Sequence, residues 1–285
     1  MVNKEGKKMN DNEKISKINY DKSCKVYGIN IETLKRNINE IKEIPKIFTD
    51  MIQYLIIEPQ NSIDKLLSEV QDVNCWIKKI NYLIYGINKS VVSLLEIVEK
   101  EDYIFFPFSR NNMDDECYFH IENSEYRLIT MWDTLAQIYN MFYKMGYSID
   151  QISYKKIFNS KNTKLINIKK RFNMANNKVD SMCKKQFVNI CCYIREDIKY
   201  NKENGNCHGN HKFLSEDRNS FTHRKNPHEF SFLNSNEDKK SFELPEAPLH
   251  IIRRLIEDYV VLYQYINFIL KYYELYFELK GLKKN

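Results

Sequence analysis

The segment Arg218-Asn219-Ser220-Phe221-Thr222-His223 sets a permanent cation and a titratable imidazole five positions apart. A guanidinium donates in a planar fork that fits phosphate oxygens. An imidazole takes or gives a proton near neutral pH. The pair suits phosphodiester cleavage, and the mechanism can be written without a metal. His223 would act as general base on a ribose 2′-hydroxyl or general acid on the 5′-oxygen, while Arg218 holds the phosphate and stabilises the charge that builds on it. The products would be a 2′,3′-cyclic phosphate and a 5′-hydroxyl. Asn219 would orient the phosphate or the imidazole. Asp133, from a neighbouring helix, would fix the histidine tautomer; in the alternative it is exposed or structurally paired. Arg224, Lys225 and His228 would extend a basic, substrate-binding surface, or else form a solvated loop.

The spacing constrains the geometry. On a regular helix five positions turn through about 500°, so the two side chains stand about 140° apart. A site then needs either a helix start, with Ser215 or Asp217 as cap and backbone N–H groups adding anion affinity, or two copies meeting across a dimer axis.

Other motifs carry less. Cys207-His208-Gly209-Asn210-His211 has the look of a metal cluster, with Cys191 and Cys192 upstream. Zinc asks for four ligands at ordered spacing, so the stretch reads as a polar loop, and neither metal nor cofactor is expected. Arg253-Arg254 would pair with Glu246 or Glu257, or face an anionic ligand. No P-loop, G-x-G-x-x-G, G-x-S-x-G or H-E-x-x-H is present, which sets aside nucleotide hydrolases, dehydrogenases, esterases and zincins.

The bulk composition bounds the setting. The chain has 285 residues, 43% of them hydrophobic, enough to bury a sizeable core. Its net charge of +6 permits an anionic partner without the strong footprint of a dedicated DNA binder. The seven cysteines are odd in number and irregularly spaced, which fits a reducing, cytoplasmic setting better than a disulfide framework. The N-terminus lacks a signal-peptide core, and the most apolar stretch, residues 259–277, is broken by Gln264, Asn267, Lys271 and Glu274, so no membrane partner is expected.

Helical periodicity supplies the elements that must hold the pair. Residues 1–25 read as a flexible polar N-terminus. Apolar residues recur at helical spacing over 29–57, with a kink at Pro45, and over 63–100 after a cap at Ser62. Residues 103–121 read as a hairpin or extended arm. Helices are expected again over 122–145, 148–158, 175–200 and 248–279, the last buried nearly all round. The chain therefore divides into residues 1–25, an N-terminal helical region 26–101 and a helical domain 102–285. The fold class is all-α.

The segment 218–224 resembles the R-x4–6-H signature of HEPN domains, including the polar residue after the arginine, and 125–140 resembles the upstream helix of a bacterial HEPN-like group. The resemblance covers roughly residues 120–280. It implies an up-and-down helical bundle, usually a homodimer, with the Arg–His motifs facing each other across the interface. Many such domains are metal-independent endoribonucleases, often in toxin–antitoxin or antiviral defence systems where a protein antitoxin is the partner. Others bind RNA or a nucleotide, or assemble as dimers, without cleaving. An endoribonuclease is thus expected, with a non-catalytic nucleotide-binding or dimeric assembly module as the alternative.

Overall fold

The computed structural model describes residues 29–49, 60–100, 103, 105–159, 177–200, 207–223, 227–229, 231–233 and 241–282. The expected N-terminal segment 1–25, Arg224 and Lys225 lie outside the described residues. The described part is helical almost throughout: α1 (Ile31–Glu40), α2 (Ser62–Val98), α3 (Asn112–Tyr143), α4 (Tyr154–Ile157), α5 (Asn177–Ile194), α6 (Asn210–His223) and α7 (Pro248–Leu279). Two small antiparallel pairs accompany them, β1 (Lys199–Tyr200) with β2 (Cys207–His208) and β3 (Ser231–Leu233) with β4 (Ser241–Glu243). The fold is an all-α bundle. Among the described residues no helix is long and apolar enough to cross a membrane.

The chain forms two compact units, and the division does not fall at residues 101/102. Unit 1 gathers Met1–Glu40, Asn88–Tyr126 and Glu196–Asp258; unit 2 gathers Ile41–Ile87, Arg127–Arg195 and Tyr259–Asn285. Helices α2, α3 and α7 each give one part to either unit.

Local chemistry explains where the helices begin and end. The Asn61 side-chain oxygen accepts the Asp64 N–H at 2.8 Å, so Asn61 rather than Ser62 caps α2. Helix α3 starts ten residues earlier than its apolar pattern suggests. The Asn111 Oδ1 accepts the Asp114 N–H at 2.9 Å and the Asp114 carboxylate accepts the Asn111 N–H at 3.1 Å. This reciprocal capping box turns 112–121 helical, and the arm expected over 103–121 ends at Asn111. Helix α7 starts with proline at its first position, where the missing N–H costs nothing. It stops at Gly281, whose φ of 98° lets Leu282 N–H reach the Phe277 carbonyl at 3.0 Å.

The helix expected across Pro45 stops at Glu40. A residue before proline is pushed out of the helical region, and residues 41–46 run without helix. Two asparagines two turns apart on α2 clasp this stretch. Asn81 Oδ1 accepts from Ile44 N–H at 2.9 Å and its amide donates to the Ile44 carbonyl at 2.8 Å; Asn74 does the same for Ile47 at 2.8 and 2.9 Å.

Unit 2 has an aromatic core. Trp132, fully buried, stacks with Tyr193 at 6.0 Å and meets Tyr265 edge-on at 6.1 Å, while Phe142 packs edge-on against Tyr273 at 4.8 Å.

Candidate functional site

Arg218 lies in α6, within unit 1, and is half-buried. The helix runs unbroken from Asn210 to His223, so the segment closes a helix and does not start one. Ser215 is buried mid-helix and Asp217 is committed elsewhere, so neither serves as the N-cap considered from sequence. Helical geometry then keeps Arg218 and His223 of one copy about 140° apart. The His223 side chain lies outside the described residues. Phe221 does not anchor the segment, because 42% of it is exposed.

The residues near Arg218 take roles different from those expected of them, and they include Glu122 and Glu125, which the sequence did not single out. His228 is only 1% exposed, and both of its ring nitrogens meet carboxylates, Nδ1 to Glu122 at 3.0 Å and Nε2 to Asp217 at 3.0 Å. An imidazole donates from both nitrogens only as the imidazolium. Burial alone would lower its pKa, but the bonds to Asp217 and Glu122 outweigh it and hold the pKa above the ordinary histidine value. His228 is therefore a buried ion-pair centre, not the surface contact for substrate expected from sequence. Its ring stacks on Tyr118 at 4.5 Å, and Arg110 lies 4.9 Å over the Tyr118 ring while donating to the His228 carbonyl at 3.3 Å.

The chain of groups continues to Glu125, which is 1% exposed. Burial, then the neighbouring Asp217 charge and the hydrogen bond to Asp217, push its pKa well up, against the pull of Arg218. A carboxyl raised in this way keeps its proton and can donate to a carboxylate. Glu122, His228, Asp217 and Glu125 thus form one series beside Arg218, with His228 and Glu125 buried and Glu122 and Asp217 half-buried. The guanidinium's Nε is sealed from solvent and its NH1 donates to the Asn219 Oδ1 at 3.2 Å. Asn219 acts on the arginine itself, Asp217 supplies negative potential near it, and Glu125, holding its proton, donates to Asp217. The signal for this series was present as Asp217 directly before Arg218, and as Glu122 and Glu125 one helical turn apart.

Asp133 belongs to unit 2. Its Oδ1 accepts the Tyr154 N–H at 2.9 Å and so helps start α4, a structural role.

The Cys207–His211 stretch is ordered, not a loose loop. Gly209 sits at φ 65°, and a Cβ there would lie 2.6 Å from the backbone of Asp197 and Ile198, so only glycine fits. Glu196 accepts from Gly209 N–H at 3.2 Å and pairs with His208 at 3.1 Å. His211 and Asp258 form a buried pair at 3.3 Å. Cys207 lies 3.9 Å from His250, which is ion-paired with Glu246. Arg253 binds Glu257 at 2.9 Å, as one sequence alternative had it. Arg254 donates to the His208 carbonyl at 3.1 Å and Asn210 Oδ1 at 3.0 Å, fastening the start of α6 to α7. Among the described residues no group of three or more His, Cys, Asp or Glu side chains is arranged to hold a metal.

Comparison with family models, curated proteins and solved structures finds no match for this chain.

Proposed function

We propose that this protein is a metal-independent RNA endonuclease whose site pairs Arg218 of one copy with His223 of a second. The observation that carries the reading is the mounting of Arg218. It sits near the end of a continuous helix, with Nε sealed, NH1 on Asn219 and the Glu125–Asp217 carboxyls beside it. A cation held this way loses little freedom on gripping a phosphate. The same helix ends at His223, and because it is regular the two residues diverge by about 140°. Two copies related by a two-fold axis bring an arginine from each toward a histidine from the other. His223 would remove the 2′-hydroxyl proton, the 2′-oxygen would attack phosphorus, and the 5′-oxygen would leave with a proton. Arg218 would neutralise charge on the phosphoryl oxygens throughout. The resemblance to HEPN domains supports this class of chemistry, and a place in toxin–antitoxin or antiviral defence rests on that resemblance alone.

The test is cleavage of a labelled RNA pool in EDTA. Arg218→Ala and His223→Ala should each lower the rate by about a hundredfold or more. Mixing the two inactive variants should restore part of the activity through hybrid dimers. Products with a 3′-hydroxyl, or full activity in either variant, would sink the mechanism. A folded wild type that binds RNA without cutting it would favour the non-catalytic binding or assembly module.

A further inference from the structure

We propose that one face of α2 is a docking strip for single-stranded RNA, built from Lys78, Tyr82 and Tyr85 with Arg127 beside them. The strip lies within unit 2 and uses none of the residues assigned above to cleavage. At 100° per residue, Lys78, Tyr82 and Tyr85 fall within about 60° of one another around the helix and span about 10 Å along it. All three are exposed, Tyr82 by 68% and Tyr85 by 66%. Tyrosines on a helix of this protein are otherwise mostly drawn into the core, as Tyr118, Tyr139, Tyr259 and Tyr273 are. Two that stand out at adjacent turns offer two flat rings to whatever covers them.

The surroundings say what that partner carries. No Asp or Glu occurs between Asp72 and Glu96, so α2 itself contributes cations without carboxylates here, and Glu43, which approaches from outside the helix, is held by the Asn81 amide at 3.3 Å. Lys79 is exposed beside the strip and reaches over the Trp76 ring at 5.1 Å. Gly86 completes the surface by what it lacks. A Cβ there would lie 2.4 Å from Arg127 Nε and 2.7 Å from its Cδ, so the arginine stem rests directly on the α2 backbone one turn beyond Tyr82. Alternating cations and accessible rings match a polyanion whose bases are unpaired and free to stack. A duplex hides its base faces and would engage only the cations. An aliphatic protein partner would find no aliphatic side chain on the strip.

The test is fluorescence anisotropy with a short, fluorescein-labelled single-stranded RNA, in the His223→Ala background so that the probe stays intact. Tyr82→Ala/Tyr85→Ala should weaken binding about tenfold or more, whereas Tyr82→Phe/Tyr85→Phe should stay close to the parent because the ring does the work. Lys78→Glu should weaken binding and flatten its salt dependence. Unchanged affinity in the double alanine variant, or no binding by the parent protein, overturns the proposal. Lost self-association with unchanged RNA affinity, seen by light scattering, overturns it in favour of a contact between copies. Since binding is read without cleavage, a protein that binds through these tyrosines but never cuts RNA would refute the nuclease reading and leave this one standing.

Discussion

Unit 1 and unit 2 draw on parts of the same three long helices and both bury aliphatic side chains, but they differ in what they bury beside them. In unit 2, α3 and α7 contribute Trp132, Tyr139, Phe142, Tyr273 and Phe277, and among the described residues its buried polar side chains are the uncharged Asn74, Thr134 and Gln137. Every described Asp, Glu, His or Arg that is buried, from Asp114 and Glu125 to Arg254 and Asp258, lies in unit 1. Aromatic burial stabilises through area removed from water and close packing. Buried charges do the reverse unless each meets a partner, so a region that keeps several must hold them in fixed geometry. The contrast separates a scaffold from a region whose protonation states are set by its neighbours, and Arg218 stands in the second. Perturbed groups of this kind gather at functional sites more often than elsewhere.

Mutations can break the contrast. Trp132→Ala should lower unfolding free energy by about 3–5 kcal/mol, with little dependence on pH, as judged from urea unfolding at several pH values. A small, pH-sensitive loss would mean that unit 2 is not held by its aromatic core. His228→Ala should cost a comparable ~3–5 kcal/mol, because it strands Glu122 and Asp217 near one another without their cation. Its signature is different. A histidine whose folded pKa is raised contributes stability that is complete below the ordinary histidine value and disappears as pH rises through the folded value. The wild type should therefore lose stability as pH rises from the ordinary histidine value through the raised one, in a way the variant does not.

Asn74→Ala tests the polar exception in unit 2. It leaves the buried Ile47 N–H and carbonyl without their clasp and should cost about 1–3 kcal/mol. Amide exchange over residues 44–47 would report the loosening. The smallest effect should come from Glu125→Gln. Glu125 keeps its proton in the folded state after the unfolded chain has released it, so wild-type stability falls as pH rises from the ordinary glutamate value through the raised one. Glutamine mimics the protonated form, and the variant should match or exceed the wild type near neutrality while losing that slope. An unchanged pH profile would show that Glu125 is ionised in the folded protein.

Helix α7 was legible to the residue, because a proline at its start and an apolar run to Leu279 leave few alternatives. Helix α3 was not, since the capping box at Asn111 and Asp114 outweighs the aromatic residues that suggested strands over 118–121. Arg218 and Asn219 could be singled out from their chemistry. The acidic series near them was legible only in fragments, Asp217 before Arg218 and Glu122 one turn from Glu125, because these residues and His228 are scattered over a hundred positions and meet only in the folded unit 1.

The sequence by itself determined the all-α class, the long helices and the Arg–His segment, since periodicity, prolines and residue chemistry act locally and can be read in order along the chain. Only the tertiary structure decided that the segment ends a helix, that His228 is an interior cation and not a surface one, and that Asp133 accepts the first N–H of α4. Those outcomes depend on burial and on partners far apart in the chain, where desolvation and a 3 Å contact, not the identity of a residue, set what it can do.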